Sequence, residues 1–257
     1  MTSHPPRPMS PSPEMLCFLF FCGGIGGFID SIAGGGGLIT VPALMAAGLP
    51  PQLALGTNKA QSSIGTMVAV TRYVRGGLVD WPQVRGAAVV SFLSSAVGAW
   101  AVSLISNELL RDVVPWLLLA IVAYVMFSPK LGEHSGQARL KAGAFGLLFG
   151  STLGFYDGFF GPGTGAFWTI ATVTLLGLEL RRATAYTKVV NLASNLGSLV
   201  VFAYKGAVVL PVAAVMVAGQ LIGTYLGSGL VLTQGAPLIR RIFLLVVIAI
   251  VLRLLLT

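Results

Sequence analysis

The sequence predicts an all-α polytopic membrane protein built from two inverted repeats of about five helical segments each. Composition is the first reason. Of 257 residues, 55% are hydrophobic and only 9% charged, with mean hydropathy +0.87, where a soluble domain carries about 25% charge. The second reason is a run of apolar stretches long enough to span a bilayer, for which a helix needs about 20 residues. The third is an oddity that occurs twice. Gly27-Phe28-Ile29-Asp30 leads to Gly34-Gly35-Gly36-Gly37, and Gly154-Phe155-Tyr156-Asp157 leads to Gly161-Pro162-Gly163-Thr164. Each is an acid and a glycine break inside apolar surroundings, and each is followed some 30 residues later by a lysine, Lys59 or Lys188.

Residues 1–14 are polar and proline-rich and read as a disordered tail. The apolar run after them lacks a small-residue cleavage site and continues into the first motif, so it reads as a retained helix rather than a removed signal. Further long candidates cover roughly 54–75, 81–104, 111–128, 138–157, 183–203, 207–232 and 238–256. Residues 15–30 and 37–49 flank the first break, and 138–157 and 164–178 the second. Broken backbone at membrane depth is tolerated only inside protein or beside a water-filled cavity. These pairs are either two full spans or a half-helix hairpin, giving 8–10 segments with the first pair of each repeat broken or re-entrant. The expected boundaries are repeat 1 over 15–128, a linker over 129–137, and repeat 2 over 138–257.

The halves match well beyond the motif. Gly77, Pro82, Gly98 and Arg111 correspond to Gly206, Pro211, Gly227 and Arg240 at the offset that relates Lys59 to Lys188. The Asp/Gly motifs align two residues out of that register. Self-similarity at such a period marks internal duplication. Loop charges then choose the topology. Five segments per half, with the second half inverted, put Arg72, Arg75, Arg85, Lys130, Arg139, Lys141, Arg181, Arg182, Arg240 and Arg241 on one side. Only Arg7, Arg111, Lys205 and Arg253 fall on the other, and both termini are outside. A parallel arrangement with four crossings per half would place Arg181, Arg182, Arg240 and Arg241 outside, against the positive-inside tendency.

The net charge of +8 resides in these short loops. There is no interleaving of aromatic and basic residues, so no nucleic-acid partner is expected. Cys17 and Cys22 lie five residues apart on one expected helix, with neither disulfide nor metal spacing. Elimination narrows the chemistry further. Of eight acids, Glu14, Asp80, Glu108, Asp112, Glu133 and Glu179 fall in loops or at segment ends, leaving Asp30 and Asp157 in the motif segments. His4 and His134 lie in polar loops, so no membrane-embedded Ser-His pair or catalytic metal cluster is expected. No catalytic residue, metal or cofactor is assigned, and the chain does not read as an enzyme.

A lysine near a helix centre costs about 2.5–3.5 kcal/mol on insertion scales, so Lys59 and Lys188 must face the interior and find partners. Their helices carry polar stripes. Lys59, Ser62, Ser63 and Thr66 share one face, and Lys188, Asn191, Asn195 and Ser198 another. Asn58 and Gln61 add amides beside Lys59. The lysines could merely pair with Asp30 and Asp157 and pin helices together. The donor surplus points instead to a bound oxyanion, with the acids as counter-charges in the empty state. A run such as Gly34–Gly37 sacrifices helix propensity at about 1 kcal/mol per residue. It also exposes N–H groups at the start of the next helix, where the dipole favours an anion. An unwound helix lining a cavity is the favoured reading, with close helix packing as the alternative. Close packing does apply to Gly219, Gly223 and Gly227. No GxxxxGK[ST] nucleotide loop is present.

The segment from Phe28 through Asp30 and Gly34–Gly37 to Pro42, followed by Leu55-Gly-Thr-Asn-Lys59-Ala-Gln61-Ser-Ser63, resembles the TauE/SafE sulfite exporter family of bacterial membrane proteins. The resemblance runs from about residue 15 to the C-terminus. The second repeat departs more, with Pro162 interrupting the glycines and Tyr186-Thr187-Lys188 in place of Thr-Asn-Lys. The resemblance implies an inner-membrane exporter of small sulfur-containing anions such as sulfite, sulfoacetate or related sulfonates.

The expected site is therefore Lys59, Lys188, Asn58, Gln61, Ser62, Thr66, Asn191 and Asn195, with Thr164 and the backbone of Gly34, Gly35, Gly36, Gly37, Gly161 and Gly163. Asp30 and Asp157 supply counter-charge and coupling, because an anion beside them favours their protonation. The expected partners are the lipid bilayer and the anion, with a homodimer left open. A passive anion channel and an accessory protein with structural ion pairs are the rivals.

Overall fold

The structure is a computed structural model and describes residues 12–127 and 136–234. Among these residues it contains helices and no strand: α1 (Pro13–Ala33), α2 (Gly37–Ala46), α3 (Pro51–Arg75), α4 (Trp81–Val102), α5 (Asn107–Phe127), α6 (Ala142–Phe159), α7 (Thr164–Leu175), α8 (Leu180–Tyr204) and α9 (Leu210–Thr233). The expected final segment over 238–256, and with it Arg240, Arg241 and Arg253, lies outside the described residues. So do most of the tail and the linker, with Arg7, His4, Lys130, Glu133 and His134.

Local sequence sets the helix ends. Ser12 caps α1 by accepting from the Met15 N–H at 3.3 Å, and Pro13 occupies the first turn, so the helix starts inside the expected tail. Pro82 and Pro211 sit in the first turns of α4 and α9. Asp80 caps α4 through the Gln83 N–H. After α3 and α8 the chain turns at Gly77 and Gly206, with φ of 67° and 68°, a left-handed conformation that favours glycine. These are the repeat-matched pairs of the sequence.

The two breaks divide unequal partners. Helix α1 has 21 residues and α2 only 10; α6 has 18 and α7 only 12. At 1.5 Å per residue, α2 and α7 are about 15 and 18 Å long, roughly half of a hydrocarbon core of about 30 Å. Of the two alternatives for 15–49 and 138–178, each proves to be a long helix followed by a half-length one. Both acids fall in the last turn of the long helix.

By length and composition, Pro13–Ile32, Trp81–Val102 and Leu210–Thr233 can cross a membrane. Helices α3 and α8, 25 residues each, are as long but carry the polar stripes. The polarity is arranged with lipid outside. Phe21, Val89, Leu93, Val97, Leu147 and Ile222 are exposed, whereas Asn58, Lys59, Gln61, Asp157, Lys188 and Asn195 are buried.

Seams between helices come in matched sets. Helix α1 packs along α9 and α6 along α4; α3 packs on α9 and α8 on α4; α3 and α8 meet each other at the centre. Glycines allow these close approaches. A Cβ on Gly219, Gly223 or Gly227 would strike the α1 backbone or the Ser31 hydroxyl, as the α9 stripe implied. The α6–α4 seam has its own ladder, Gly146, Gly150, Gly154 and Gly158, facing Ala87, Val90, Ser91 and Ser95. Helices α3 and α8 run in opposite directions. Near the start of α3, Thr57 Oγ1 accepts from Val209 N at 3.0 Å, in the connection that follows α8. At the other end of α3, Arg72 donates to Ser228 Oγ at 3.0 Å and to the Tyr225 carbonyl. From the start of α8, Arg181 donates to the Val231 and Leu232 carbonyls at 3.0 and 2.6 Å. Arg72 and Arg181 thus cap the same end of α9, where the dipole favours cations.

Candidate functional site

Lys59 and Lys188 occupy the third turns of α3 and α8, the helices that cross at the centre. Each pairs with the acid of the opposite half. Lys59 Nζ lies 2.7 Å from Asp157 Oδ1, and Lys188 Nζ lies 2.8 Å from Asp30 Oδ2. Lys59 is 1% exposed, Lys188 0% and Asp157 2%. Charges this deep require partners, because the desolvation penalty for each is several kcal/mol. The pairs therefore hold the halves together, and among the described residues each acid is the only charged partner of its lysine.

Amides and hydroxyls extend the Lys59–Asp157 pair, and a second polar cluster lies beside Lys59 on α3. Lys59 Nζ also donates to Asn195 Oδ1 at 3.1 Å, Asn195 Nδ2 donates to Asn191 Oδ1 at 3.0 Å, and Ser194 Oγ donates to Asp157 Oδ2. On α3, Asn58 Oδ1 accepts from Gln61 Nε2 at 2.9 Å and from Thr40 Oγ1 at 2.6 Å. Ser62 is half-buried and accepts from Gln61 Nε2 at 3.3 Å. The Thr66 hydroxyl is buried and has no partner among the described residues. Ser63 and Ser198 bond back to carbonyls of their own helices and contribute nothing across the site.

The breaks meet tip to tip. Gly34 and Gly165 approach so closely that a Cβ on either would overlap the other's backbone. A Cβ on Gly37 would sit 3.2 Å from Pro162 Cα. Each break also wraps an acid: the Gly36 Cα faces the Asp30 side chain, and a Cβ on Gly161 would lie 3.0 Å from Lys59 Nζ and 3.2 Å from Asp157 Oδ1. The breaks provide fewer free donors than the sequence suggested. The N–H groups of Gly34, Gly161 and Thr164 are engaged by the carbonyls of Asp30, Tyr156 and Gly161, because each break closes as a turn on its own helix end. The Thr164 hydroxyl likewise donates to the Gly161 carbonyl at 2.7 Å. Among the described residues the N–H groups of Gly35, Gly36 and Gly163 have no acceptor.

Three side chains at this centre were not picked out from the sequence: Ser194, Thr40 and Gln220. Ser194 lies on the flank of the α8 stripe, and a wider stripe would have included it. Thr40 sits on α2, whose approach to Asn58 is tertiary. Gln220 is the one amide in the apolar run of α9, and that isolation was its signal. It packs against Gly27 of α1 and Gly65 of α3.

Helices that are apolar outside, charged at the centre and broken beside the charges define a polytopic membrane protein with a polar interior site. The comparisons with known proteins make this class specific. The family model described as Sulfite exporter TauE/SafE matches residues 19–254. A "Probable membrane transporter protein" of Haemophilus influenzae is 44% identical over 227 residues, covering 88% of this chain and 89% of the relative. The "Probable membrane transporter protein YfcA" of Escherichia coli K12 is 43% identical over 235 residues, 91% and 87% of the two chains. The "Probable membrane transporter protein ORF9" of a Sinorhizobium species is 41% identical over 242 residues, 94% and 93%. No solved structure matches the chain. The protein is a multi-pass membrane transporter of the bacterial cell membrane. It belongs to the TauE/SafE family.

Proposed function

We propose that the protein is a secondary transporter that exports small sulfur-containing oxyanions, sulfite, sulfoacetate or other organosulfonates among them, through the centre where the ion pairs cross. The family description suggests the sulfur oxyanion. The observation that carries a binding role is the pair of buried ammonium groups, each held by a carboxylate from the other half. A carboxylate and a sulfur oxyanion offer an ammonium group the same charge and the same acceptor oxygens. An anion entering the centre can therefore take over a lysine without leaving it uncompensated. A purely structural pair would be complete in itself, whereas Asp30 Oδ1 and two of the Lys188 ammonium protons have no partner among the described residues.

The inverted arrangement of the repeats is part of this reading. The opposite run of α3 and α8, the matched seams, and Arg72 and Arg181 at one end of α9 support it. Inverted repeats with broken helices suit alternating access, in which one half rocks against the other around a fixed site. Asp30 and Asp157 are the counter-charges of the empty state, and an acid whose lysine is taken by the anion would carry the coupling proton.

A panel of sulfite, sulfate, thiosulfate and C2–C3 sulfonates should raise the melting temperature of the detergent-solubilised protein for at least one member. No shift with any of them would favour an accessory role with structural ion pairs. In proteoliposomes, accumulation of that anion against its gradient separates a coupled transporter from a passive channel. A flux insensitive both to an imposed pH gradient and to Asp30→Asn would remove the proton part.

A further inference from the structure

The two ion pairs are related by the repeat but are not equally held. Lys59 has two acceptors, Asp157 and Asn195, and both oxygens of Asp157 are taken, by Lys59 and by Ser194. Lys188 has one acceptor, Asp30 Oδ2, and Asp30 Oδ1 has no donor among the described residues. An ammonium group carries three protons, so two on Lys188 are unspent although the residue is 0% exposed. The Asp30 side chain is 16% exposed and that of Asp157 3%.

The cause is in the sequence. At the offset that relates Lys59 to Lys188, Ser194 corresponds to Gly65 and Asn195 to Thr66. Glycine cannot donate to Asp30 as Ser194 does to Asp157. Threonine is shorter than asparagine, and the Thr66 hydroxyl reaches no partner among the described residues. The space beside Gly65 is filled by Gln220, whose amide makes no hydrogen bond among the described residues. Gln220 also abuts Gly27, one turn before Asp30 on α1. Buried polar groups are ordinarily satisfied, and a cluster that is not calls for a specific cause.

We propose that the pairs divide the work: Lys188, Thr66 and Gln220 bind the transported oxyanion, which displaces Asp30, while Lys59–Asp157, fixed by Ser194 and Asn195, stays closed as a strut between the halves. The inference rests on the anion reading above and names the half of the centre that the anion occupies. The unspent protons of the Lys188 ammonium, the Thr66 hydroxyl and the Gln220 Nε2 group together number at least three, enough for the oxygens of a tetrahedral or pyramidal oxyanion. The one-sided shell also explains why the repeats have diverged at these positions.

The test uses the full chain in detergent, with melting temperature titrated against the anion of the panel that stabilises the wild type most. Thr66→Val and Gln220→Leu should each weaken apparent Kd at least about tenfold, the effect of losing a hydrogen bond to a charged ligand. Their melting temperature without anion should be unchanged or higher, because an unsatisfied polar group has gone. Thr66→Ser retains the hydroxyl and should bind like wild type. Ser194→Ala should lower the melting temperature without anion and leave Kd within about threefold, well under one hydrogen bond's worth. If wild type responds but Ser194→Ala weakens binding as much as Thr66→Val and Gln220→Leu do, or those two bind normally, the division of work is wrong and the anion site stands. If no anion of the panel stabilises the wild type, the anion reading fails and this inference falls with it.

Discussion

Replacing Lys59 by alanine should cost the protein its fold. The substitution leaves Asp157 2% exposed, inside the bundle, with only Ser194 as partner. Breaking a buried pair from one side typically destabilises by about 3–5 kcal/mol, a large part of the 5–15 kcal/mol that usually holds a domain together. The expected result is poor recovery on gel filtration in detergent and a melting temperature far below wild type. The double variant Lys59→Ala/Asp157→Ala should regain most of the loss, because neither charge is then stranded. If the single variant melts like wild type, the pair is not the strut described here. Lys188→Ala should be milder, since Asp30 is partly exposed and holds a spare oxygen.

The second large effect is at the meeting of the breaks. Gly34→Val and Gly165→Val should each prevent normal assembly. Gly34 has φ of 75°, where a β-branched residue is strained by about 1–3 kcal/mol before any contact is considered. A side chain at either position also overlaps the facing backbone, and backbone cannot step aside as a flexible side chain can. Gly35→Ala is the internal control. Its Cβ would meet only Ile29 Cγ2 and Leu38 Cδ1, both at 3.7 Å, in ordinary contact. It should be neutral or stabilise by up to about 1 kcal/mol. Equal behaviour of Gly34→Val and Gly35→Ala in a melting series would contradict tip-to-tip packing.

Much of this was readable before the structure. Hydropathy located the helices, and proline and glycine fixed their ends to within a few residues. The Asp/Gly motifs marked the breaks because a run of glycines costs helix propensity that isolated packing glycines do not. Counting acids left Asp30 and Asp157 as the intramembrane partners of Lys59 and Lys188. The crossing of the pairs was not legible, since which lysine meets which acid depends on how the halves pack. Backbone donors at the breaks were overcounted because a turn uses its own N–H groups. The inequality of the repeats was seen in Pro162 and in the sequence before Lys188, yet the geometry locates it at Gly65 and Thr66 against Ser194 and Asn195. That difference lay in the aligned sequence, but it acquires meaning only once Ser194 is seen on Asp157 and Gln220 beside Gly65.

Passage of a sulfur oxyanion across the membrane by way of Lys188 is best measured as efflux of sulfite and of sulfoacetate from loaded proteoliposomes. Wild type and Lys188→Ala are compared at equal amounts of folded, reconstituted protein. Protein-dependent efflux of at least one anion is expected for wild type, with a fall to the level of protein-free liposomes for Lys188→Ala. Efflux at the wild-type rate from Lys188→Ala would contradict passage by way of this lysine.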